Sequence, residues 1–333
     1  MRETLTSRRF ALQALLALGG AYGSRSVFAE PNIGARVPGS PEDLAGSLAE
    51  PEPLFAAPTR LDRIGRVMTP VMVNGKGPFR FVIDTGASRS TLAPHLAKSL
   101  GLTQPGRNVM LNGVTGAAEV PTVVVDKLEI GALKFENQHL PVIFTSIMGN
   151  ADGILGVAGF ADQRIDVDFK KDRVSVVESN GRRPHYSLVT TRVDRNVNGL
   201  MIFDMRIGRR IKVKAVLDTG AERTLGNLAL QNALNKGKRK REPVSAVVHG
   251  ATPDIADGDV QEIKQANIGD MSLTNLEVIF ADFHVFKLWG LDQEPAMLIG
   301  MDMIGVLERL VIDYRRNEVS MYGDRTASRM VAR

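Results

Sequence analysis

Short apolar runs, separated by turn residues, recur along the chain from about residue 61 onwards. They lie at residues 67–73, 80–83, 121–128 and 140–144, and again at 200–207, 213–217, 259–266 and 276–280. Short β-rich runs with turn residues between them are typical of all-β folds. Residues 91–100 instead have apolar side chains at helical spacing and a glycine where a C-terminal cap belongs, and residues 224–234 hold the same place later in the chain. The pattern predicts an all-β fold with few short helices.

The two parts of the chain carry the same landmarks in the same order, which indicates duplication of one domain. The matching pairs are Ile130-Gly131 with Ile268-Gly269, residues 142–144 with 278–280, 154–156 with 298–300, and 167–171 with 312–316. A break rich in turn residues separates the copies. We therefore predict a first lobe at residues 59–178, a linker at 179–185, a second lobe at 186–325 and a tail at 326–333.

The N-terminal segment has the features of an export signal. Paired arginines precede an apolar run at residues 11–21, and residues 27–29 resemble a cleavage site with small outer residues. The run is interrupted by Gln13 and is shorter than the ~20 apolar residues that a membrane span needs. We predict a twin-arginine-like signal at residues 1–29, cleaved to leave no stable membrane span, with a short membrane anchor as the alternative. Residues 30–58, rich in proline, alanine and acids, predict an extended tether, and the expected location is the bacterial periplasm.

Composition and charge exclude several classes of function. The chain has no cysteine, so disulfides, thiol catalysis and thiolate metal sites are excluded. Signal cleavage removes four arginines and one glutamate, which lowers the net charge from +5 to +2 and gives no reason to expect a nucleic-acid partner. The basic cluster at residues 236–241 is typical of a solvated loop, with a contact to anionic envelope material as the alternative. No metal or other cofactor is expected, because the histidines are scattered at His95, His139, His185, His249 and His284.

Candidate chemistry lies in the tetrapeptide Asp-Thr-Gly-Ala, which occurs at residues 84–87 and again at residues 218–221. Each copy follows an apolar run, so a buried strand delivers a carboxyl group into a tight glycine turn. Two such turns face to face would place two carboxyl groups on one water molecule. Because two close carboxylates repel each other, the pair retains one proton and supplies both a general base and a general acid. The predicted catalytic residues are Asp84 and Asp218, whose apparent pKa values belong to the pair.

These residues resemble the retropepsin-like aspartic peptidases over residues 61–178 and 186–323. The similarity rests on the two Asp-Thr-Gly-Ala turns and on a hydrophobic-hydrophobic-Gly element downstream of each, while residues 88–102 are similar to bacterial members. Retroviral members are homodimers with one turn per chain, whereas this chain looks like two retropepsin halves joined in the pepsin manner. The resemblance implies two acid-protease-type β-barrel lobes with a ψ-loop in each, a polypeptide substrate, and a monomer whose lobes pair within the chain.

Further site residues follow from the two turns and from the resemblance. The active-site turns are expected to be supported by Thr85, Gly86, Ala87, Thr219, Gly220 and Ala221, with the threonine hydroxyls bonding across the junction. The ψ-loops are expected to be formed by Ile154, Leu155, Gly156, Leu298, Ile299 and Gly300. The candidate flap and substrate-binding residues are Asn112, Gly113, Val114, His249, Gly250 and Glu222. Asn-Gly is a strong hairpin signal, and His249 has the alternative of a polar loop residue without a role.

The copies differ at three places. Ser88 follows the first turn where Glu222 follows the second, and an acid there matches retroviral members. Asp302 completes a Gly-x-Asp that is close to the family's pattern, whereas residues 157–159 depart from it. The second copy is also eight residues longer before its Leu-Ile-Gly element, with the surplus around Phe283, Phe286, Leu288 and Trp289. This cluster is expected to cap the barrel, or alternatively to line a substrate subsite or dock a partner.

The predicted function is an aspartic endopeptidase that hydrolyses peptide bonds. One alternative is a catalytically inactive bilobal protein that binds peptide or envelope polymer in its cleft, and another is a dimer in which each turn pairs with its copy in a second chain. Ala87 and Ala221 supply no hydroxyl to the aspartates. Because a lost hydrogen bond to the carboxylate raises its pKa, we expect a weakly acidic optimum.

Overall fold

The computed structural model describes residues 55–58, 60–61, 65–102, 107–143, 148–182, 189–195, 199–239 and 241–323. The predicted export signal, most of the tether, part of the linker and the tail lie outside the described residues. Strands dominate the described part, which contains four short helices, and the predicted all-β class is confirmed. None of these helices has the length and apolar character needed to cross a membrane.

The first lobe is built on a sheet in which a central pair of strands delivers Asp84. Two short strands, β1 (Phe55–Pro58) and β2 (Arg60–Leu61), come first. They are followed by β3 (Val67–Val73), β4 (Lys76–Ile83), β5 (Thr91–Leu92), α1 (Pro94–Ser99), β6 (Asn108–Asn112), β7 (Ala117–Ile130), β8 (Leu133–Pro141), β9 (Gly153–Leu155), β10 (Gln163–Asp168) and β11 (Arg173–Glu178). The sheet order is β5-β9-β4-β3-β7-β6, with β2 beside β3 and β8 beside β7. Alternate residues of β3 face the core, where Val67, Val71 and Val73 are fully buried.

The second lobe repeats this arrangement around Asp218. Its elements are β12 (Val189–Arg192), β13 (Asp194–Arg195), β14 (Met201–Ile207), β15 (Ile211–Leu217), β16 (Leu225–Gly226), α2 (Leu228–Asn235), β17 (Val244–His249), β18 (Ile255–Ile268), β19 (Met271–Phe280), α3 (His284–Leu288), β20 (Ala296–Ile299), α4 (Met301–Ile304), β21 (Arg309–Asp313) and β22 (Glu318–Tyr322). The sheet order is β13-β14-β15-β20-β16-β19-β18-β17. Strand β14 also pairs with β18, which curls the sheet towards a barrel.

Each lobe contains the ψ-shaped crossing that the resemblance implied. Strand β9 lies parallel to β4 and antiparallel to β5, and β20 lies parallel to β15 and antiparallel to β16. The strand that ends in an aspartate therefore runs beside the hydrophobic-hydrophobic-Gly strand. The amide of Asp84 donates to the carbonyl of Leu155 at 3.0 Å, and that of Asp218 donates to Ile299 at 2.9 Å. The ψ-loop thus fixes the backbone at the start of each turn.

A third sheet joins the two lobes. Its order is β1-β11-β10-β21-β22-β12, and the central contact is the antiparallel pairing of β10 with β21. Across this pairing the guanidinium of Arg309 donates through Nε to Asp166 at 2.7 Å. The lobes are therefore continuous through main-chain hydrogen bonds, although the exact lobe bounds of 59–178 and 186–325 stay predictions.

Several predicted element boundaries are wrong, because tertiary pairing overrides the local pattern. The strands predicted to begin at residues 80, 121, 259 and 276 begin earlier, as β4 at Lys76, β7 at Ala117, β18 at Ile255 and β19 at Met271. The helix predicted at residues 91–100 begins only at Pro94, since Thr91 and Leu92 pair with β9 as β5. The helix predicted at 224–234 begins at Leu228 for the same reason, after the short strand β16. The strand predicted at 140–144 ends at Pro141, beyond which Val142 makes a single bridge and residue 144 lies outside the described residues.

Candidate active site

The structure brings Asp84 and Asp218 together at the ends of β4 and β15. A Cβ atom added to Gly86 would lie 2.4 Å from Cγ of Asp218, and one added to Gly220 would lie 2.3 Å from Cγ of Asp84. Each carboxyl group therefore occupies the space that a side chain on the opposite glycine would need. This close approach explains why both turns carry glycine at that position.

The turns hold the two carboxyl groups in matching ways. The Oδ1 atom of Asp84 accepts from the amides of Gly86 and Ala87 at 2.8 and 2.9 Å. The Oδ1 atom of Asp218 accepts from the corresponding amides of the second turn at 2.8 and 3.1 Å. The two carboxyl groups also interact electrostatically, since the charge of Asp84 raises the pKa of Asp218. The planes of both groups are thereby fixed, and a proton can be shared between them.

Burial raises the pKa of both aspartates above its ordinary value. For Asp218, which is 7 % exposed, burial and then the charge of Asp84 place the pKa well above the usual range. The pKa of Asp84 is raised by burial, against the lowering effects of its hydrogen bonds and of Arg66. The pair therefore keeps a proton at a pH at which an ordinary aspartate is ionised.

The two threonines lie beneath the aspartates and bond across the junction of the lobes. The hydroxyl of Thr85 donates to the carbonyl of Leu217 at 2.9 Å, and that of Thr219 donates to Ile83 at 2.7 Å. Each hydroxyl also accepts from the amide of the opposite threonine, at 3.1 and 3.2 Å. Because both side chains are buried, these four bonds tie the two turns into one unit.

The ψ-loop residues lie behind the turns, and the two lobes brace them differently. The amide of Gly156 donates to the hydroxyl of Ser90, and the amide of Gly300 donates to that of Thr224, both at 3.1 Å. Thr224 in turn donates to Oδ1 of Asp302 at 2.6 Å. Residue 158, the first-lobe counterpart of Asp302, is an alanine. The sequence prediction missed Ser90 and Thr224 as supports, although a hydroxyl residue six positions after each aspartate was the available signal.

Two β-hairpins close over the aspartates. The first hairpin, β6–β7, turns at Asn112, Gly113 and Val114, and the second hairpin, β17–β18, turns after His249 at Gly250; all five line the same cleft as the aspartates. The hairpin tips touch, since the hydroxyl of Thr115 donates to the carbonyl of Asp254 at 2.8 Å. Sequence reasoning did not identify the contacts between the tips, because it gave no distance between the hairpins.

The cleft below the hairpins has a volume of about 1080 Å³ and is lined by both lobes. Glu222 and Ser88 lie along it at equivalent positions, as the repeat predicted, and Glu222 is exposed. Arg66 also lines it, is only 1 % exposed and donates to the carbonyl of Met148 at 3.3 Å. The strand registers make Leu200 the second-lobe counterpart of Arg66, a difference that the sequence prediction missed.

The additional segment of the second lobe around Phe283, Phe286, Leu288 and Trp289 lies partly in the core and partly along the cleft. Phe283 and Phe286 are buried and pack in a cluster with residues of the barrel, including Val216. Leu288 and Trp289 line the cleft. Part of the segment therefore packs against the barrel, as expected, and part lines the cleft, while a role in a substrate subsite stays a prediction. Helix α3 was not predicted, because a five-residue helix has too few turns to show a period.

Comparison with known protein families supports these observations. A family described as "aspartyl protease" matches the chain over residues 69–158 and again over residues 200–303. Each matched segment contains one Asp-Thr-Gly-Ala turn. No curated protein matches the chain significantly. The two segments together span more than half of the sequence, and one lies within each lobe. The chain therefore belongs to the aspartyl protease family, as two tandem retropepsin-like lobes.

Proposed function

We propose that the protein is an aspartic endopeptidase in which Asp84 and Asp218 activate one water molecule for hydrolysis of a peptide bond. The observation that carries this proposal is the approach of the two turns at the junction of the lobes, where each carboxyl group lies against the glycine of the opposite turn. The family to which the chain belongs acts on polypeptides, and the cleft of about 1080 Å³ exceeds the size that most small-ligand pockets reach.

The mechanism uses the single proton of the pair. The ionised carboxyl takes a proton from the water, whose oxygen attacks the carbonyl carbon, while the protonated carboxyl gives its proton to the carbonyl oxygen. Collapse of the tetrahedral intermediate breaks the C–N bond: the carboxyl group that took the proton of the water gives it to the leaving amine, and one hydroxyl of the intermediate returns its proton to the other carboxylate, which yields the carboxylic acid and restores the singly protonated pair. The fixed Oδ1 atoms and the buried threonines keep both carboxyl groups in place throughout.

We further propose that the protein acts as an exported monomer in the periplasm. The paired arginines and the apolar run at residues 11–21 support export. The presence of both turns and of both halves of the joining sheet in one chain supports a monomer. Neither proposal affects the chemistry of the pair.

Profiling of cleavage sites in an unbiased peptide library tests the function. We expect the wild type to cleave the library, and we expect Asp84→Asn and Asp218→Asn to fold normally and to cleave none of it. An active preparation of either variant contradicts the proposed mechanism. A wild type that captures peptides without cleaving them would establish the inactive binding protein instead.

A further inference from the structure

Helix α3 and the following Trp289 form a surface on the second-lobe side of the cleft, here called the wall, which has no counterpart among the described residues of the first lobe. The helix lies in the stretch between β19 and the Leu-Ile-Gly strand, which is eight residues longer than the corresponding stretch of the first lobe. Its last residue, Leu288, and the following Trp289 line the cleft. The two sides of the cleft therefore differ, although the aspartate turns are nearly symmetric.

The wall is fixed relative to Asp218. Phe283 and Phe286 are fully buried and share a cluster with Val216 and Leu298, which lie on the strands β15 and β20 that position Asp218. The ring of Phe286 meets that of Trp289 edge to face, with 5.9 Å between the centroids. The position of Trp289 is thus supported by its packing against buried aromatic side chains.

The same helix also contacts the first hairpin. The amide of Val285 donates to the carbonyl of Val114 at 3.3 Å, and Nε2 of His284 lies 3.2 Å from Oδ1 of Asn112. The wall therefore continues from the second lobe to the hairpin of the first lobe, so that α3, the first hairpin and the floor of the cleft enclose one side of the cleft.

The surface that this wall presents is apolar and accessible. Leu288 is 42 % exposed, and Trp289 is half-buried. Leu225 and Ile279 line the cleft as well. The first-lobe side also lines the cleft with apolar residues such as Ile143 and Ile154, and it differs in carrying the guanidinium of Arg66 beside Gly149. Exposed apolar surface inside a cleft marks a place where an apolar group of a ligand binds.

We propose that Leu288 and Trp289 determine specificity, by forming a subsite that takes one bulky apolar side chain of the polypeptide and so sets the direction in which the chain binds. The proposal rests on the proposed function for its substrate class. It adds that this preference belongs to the side of the scissile bond that faces Leu288 and Trp289, because α3 lies in the second lobe.

The test compares which residues four proteins select at each position of a randomised peptide library. They are the wild type, Trp289→Ala, Leu288→Glu and the control Leu228→Ala, which changes a leucine of equal exposure, 42 %, on α2 outside the cleft. We expect the wild type to select large apolar residues at one position. Trp289→Ala should lower that selection by about tenfold or more, and Leu288→Glu should shift it towards lysine and arginine. Leu228→Ala should match the wild type.

A second measurement separates this proposal from the proposed function. The same four sequences are placed on an Asp218→Asn background, and capture of the library at equilibrium replaces cleavage as the readout. Absence of hydrolysis in the wild type, with capture that still responds to Trp289→Ala and Leu288→Glu, would refute the peptidase and support the subsite. Preferences that stay unchanged in both variants, in cleavage and in capture alike, would overturn the subsite. Since Leu288 is exposed, its variant tests the idea even if Trp289→Ala fails to fold.

Discussion

At the scale of single residues, the two aspartates share their turns but differ in their surroundings. Each Oδ1 atom accepts hydrogen bonds from two backbone amides. The buried cation Arg66 lies on the first-lobe side, and Leu200 occupies the equivalent position in the second lobe. A nearby positive charge stabilises a carboxylate and lowers its pKa. Burial raises the pKa of the pair, and the charge of Arg66, which lowers the pKa of Asp84, favours the shared proton on Asp218.

The raised pKa of Asp218 predicts a dependence of stability on pH. The unfolded chain releases this proton near pH ~3.9, whereas the folded chain holds it to a higher pH. The free energy of unfolding therefore falls as pH rises through this interval and stays lower above it. We expect Asp218→Asn to melt at a higher temperature than the wild type at pH 7, by about 2–4 °C for each kcal/mol that the substitution adds to the free energy of unfolding. The difference should shrink below pH ~4.

Thermal melts of Asp218→Asn, of the wild type and of the control Asp270→Asn, which changes an exposed aspartate, measure this effect. The control should follow the wild type at every pH. An Asp218→Asn protein that is no more stable than the wild type at pH 7 contradicts the buried, proton-binding pair.

The threonine hydroxyls predict a second effect at residue scale. Thr219→Ala removes the donor to the carbonyl of Ile83 and the acceptor of the Thr85 amide, and leaves both groups buried. We expect a loss of about 1–3 kcal/mol in the free energy of unfolding, measured by denaturant titration. Thr191→Ala, at a partly exposed threonine, should change it by less than about 0.5 kcal/mol. Equal effects from the two substitutions would show that the cross-junction bonds do not support the turns.

At the scale of elements, the sequence predicted best what the local pattern determines alone. Strand β3 has the predicted bounds, since its alternation is undisturbed over its whole length. The hairpin at Asn112 was predicted from its Asn-Gly turn, and the threonine contacts from their place in the repeated tetrapeptide. Repetition was the decisive signal, because it assigned equivalent positions in two lobes without any distance information.

What the sequence did not predict depends on contacts between elements. Arg66 is on no motif, and its place beside Asp84 follows only from the pairing of β3 with β4. The helix starts were misplaced because Thr91 and Leu92 extend into a sheet that forms between distant segments. The sequence showed the additional apolar residues of the α3 segment. It could not predict the hydrogen bond from α3 to Val114 of the other lobe, because that contact depends on how the two lobes pack.

The ψ-loop predicts an effect at element scale. A Cβ atom at Gly156 would lie 2.5 Å from the backbone of Arg89, so Gly156→Ala must displace β9 or the turn that it supports. Since the amide of Asp84 donates to Leu155 in the same strand, we expect a loss of about 1–3 kcal/mol in stability and a lower kcat. Gly323→Ala is the matched control, because a Cβ atom there meets nothing within 4 Å. Similar melting temperatures for both variants would contradict the supporting role of the ψ-loop.

At the scale of the whole molecule, the joining sheet makes one chain sufficient for a complete site. Strands β10 and β21 pair directly, and each lobe contributes one aspartate, one threonine and one hairpin. Fusion of the two halves also allows them to differ, since a homodimer with one turn per chain has identical halves. Arg66 and α3 are two such differences, and both lie along the cleft.

A single-chain site predicts activity that is independent of concentration. We expect light scattering on the active protein to give the mass of one chain, and we expect the specific activity to stay constant on dilution. A loss of specific activity on dilution, together with a dimer mass, would favour pairing of turns between two chains.

The measurement that tests the central claim most directly is the kinetics of Asp84→Asn, Asp218→Asn and the double variant on one cleaved peptide, with Asp270→Asn as control. If the aspartates act as one proton-sharing unit, each single substitution should lower kcat by about 10³-fold or more, because neither residue can supply both base and acid. The double variant should lose little beyond either single variant, since residues that act as a unit are strongly non-additive. Retention of substantial hydrolysis by either single variant, or losses that multiply in the double variant, would contradict a shared-proton pair.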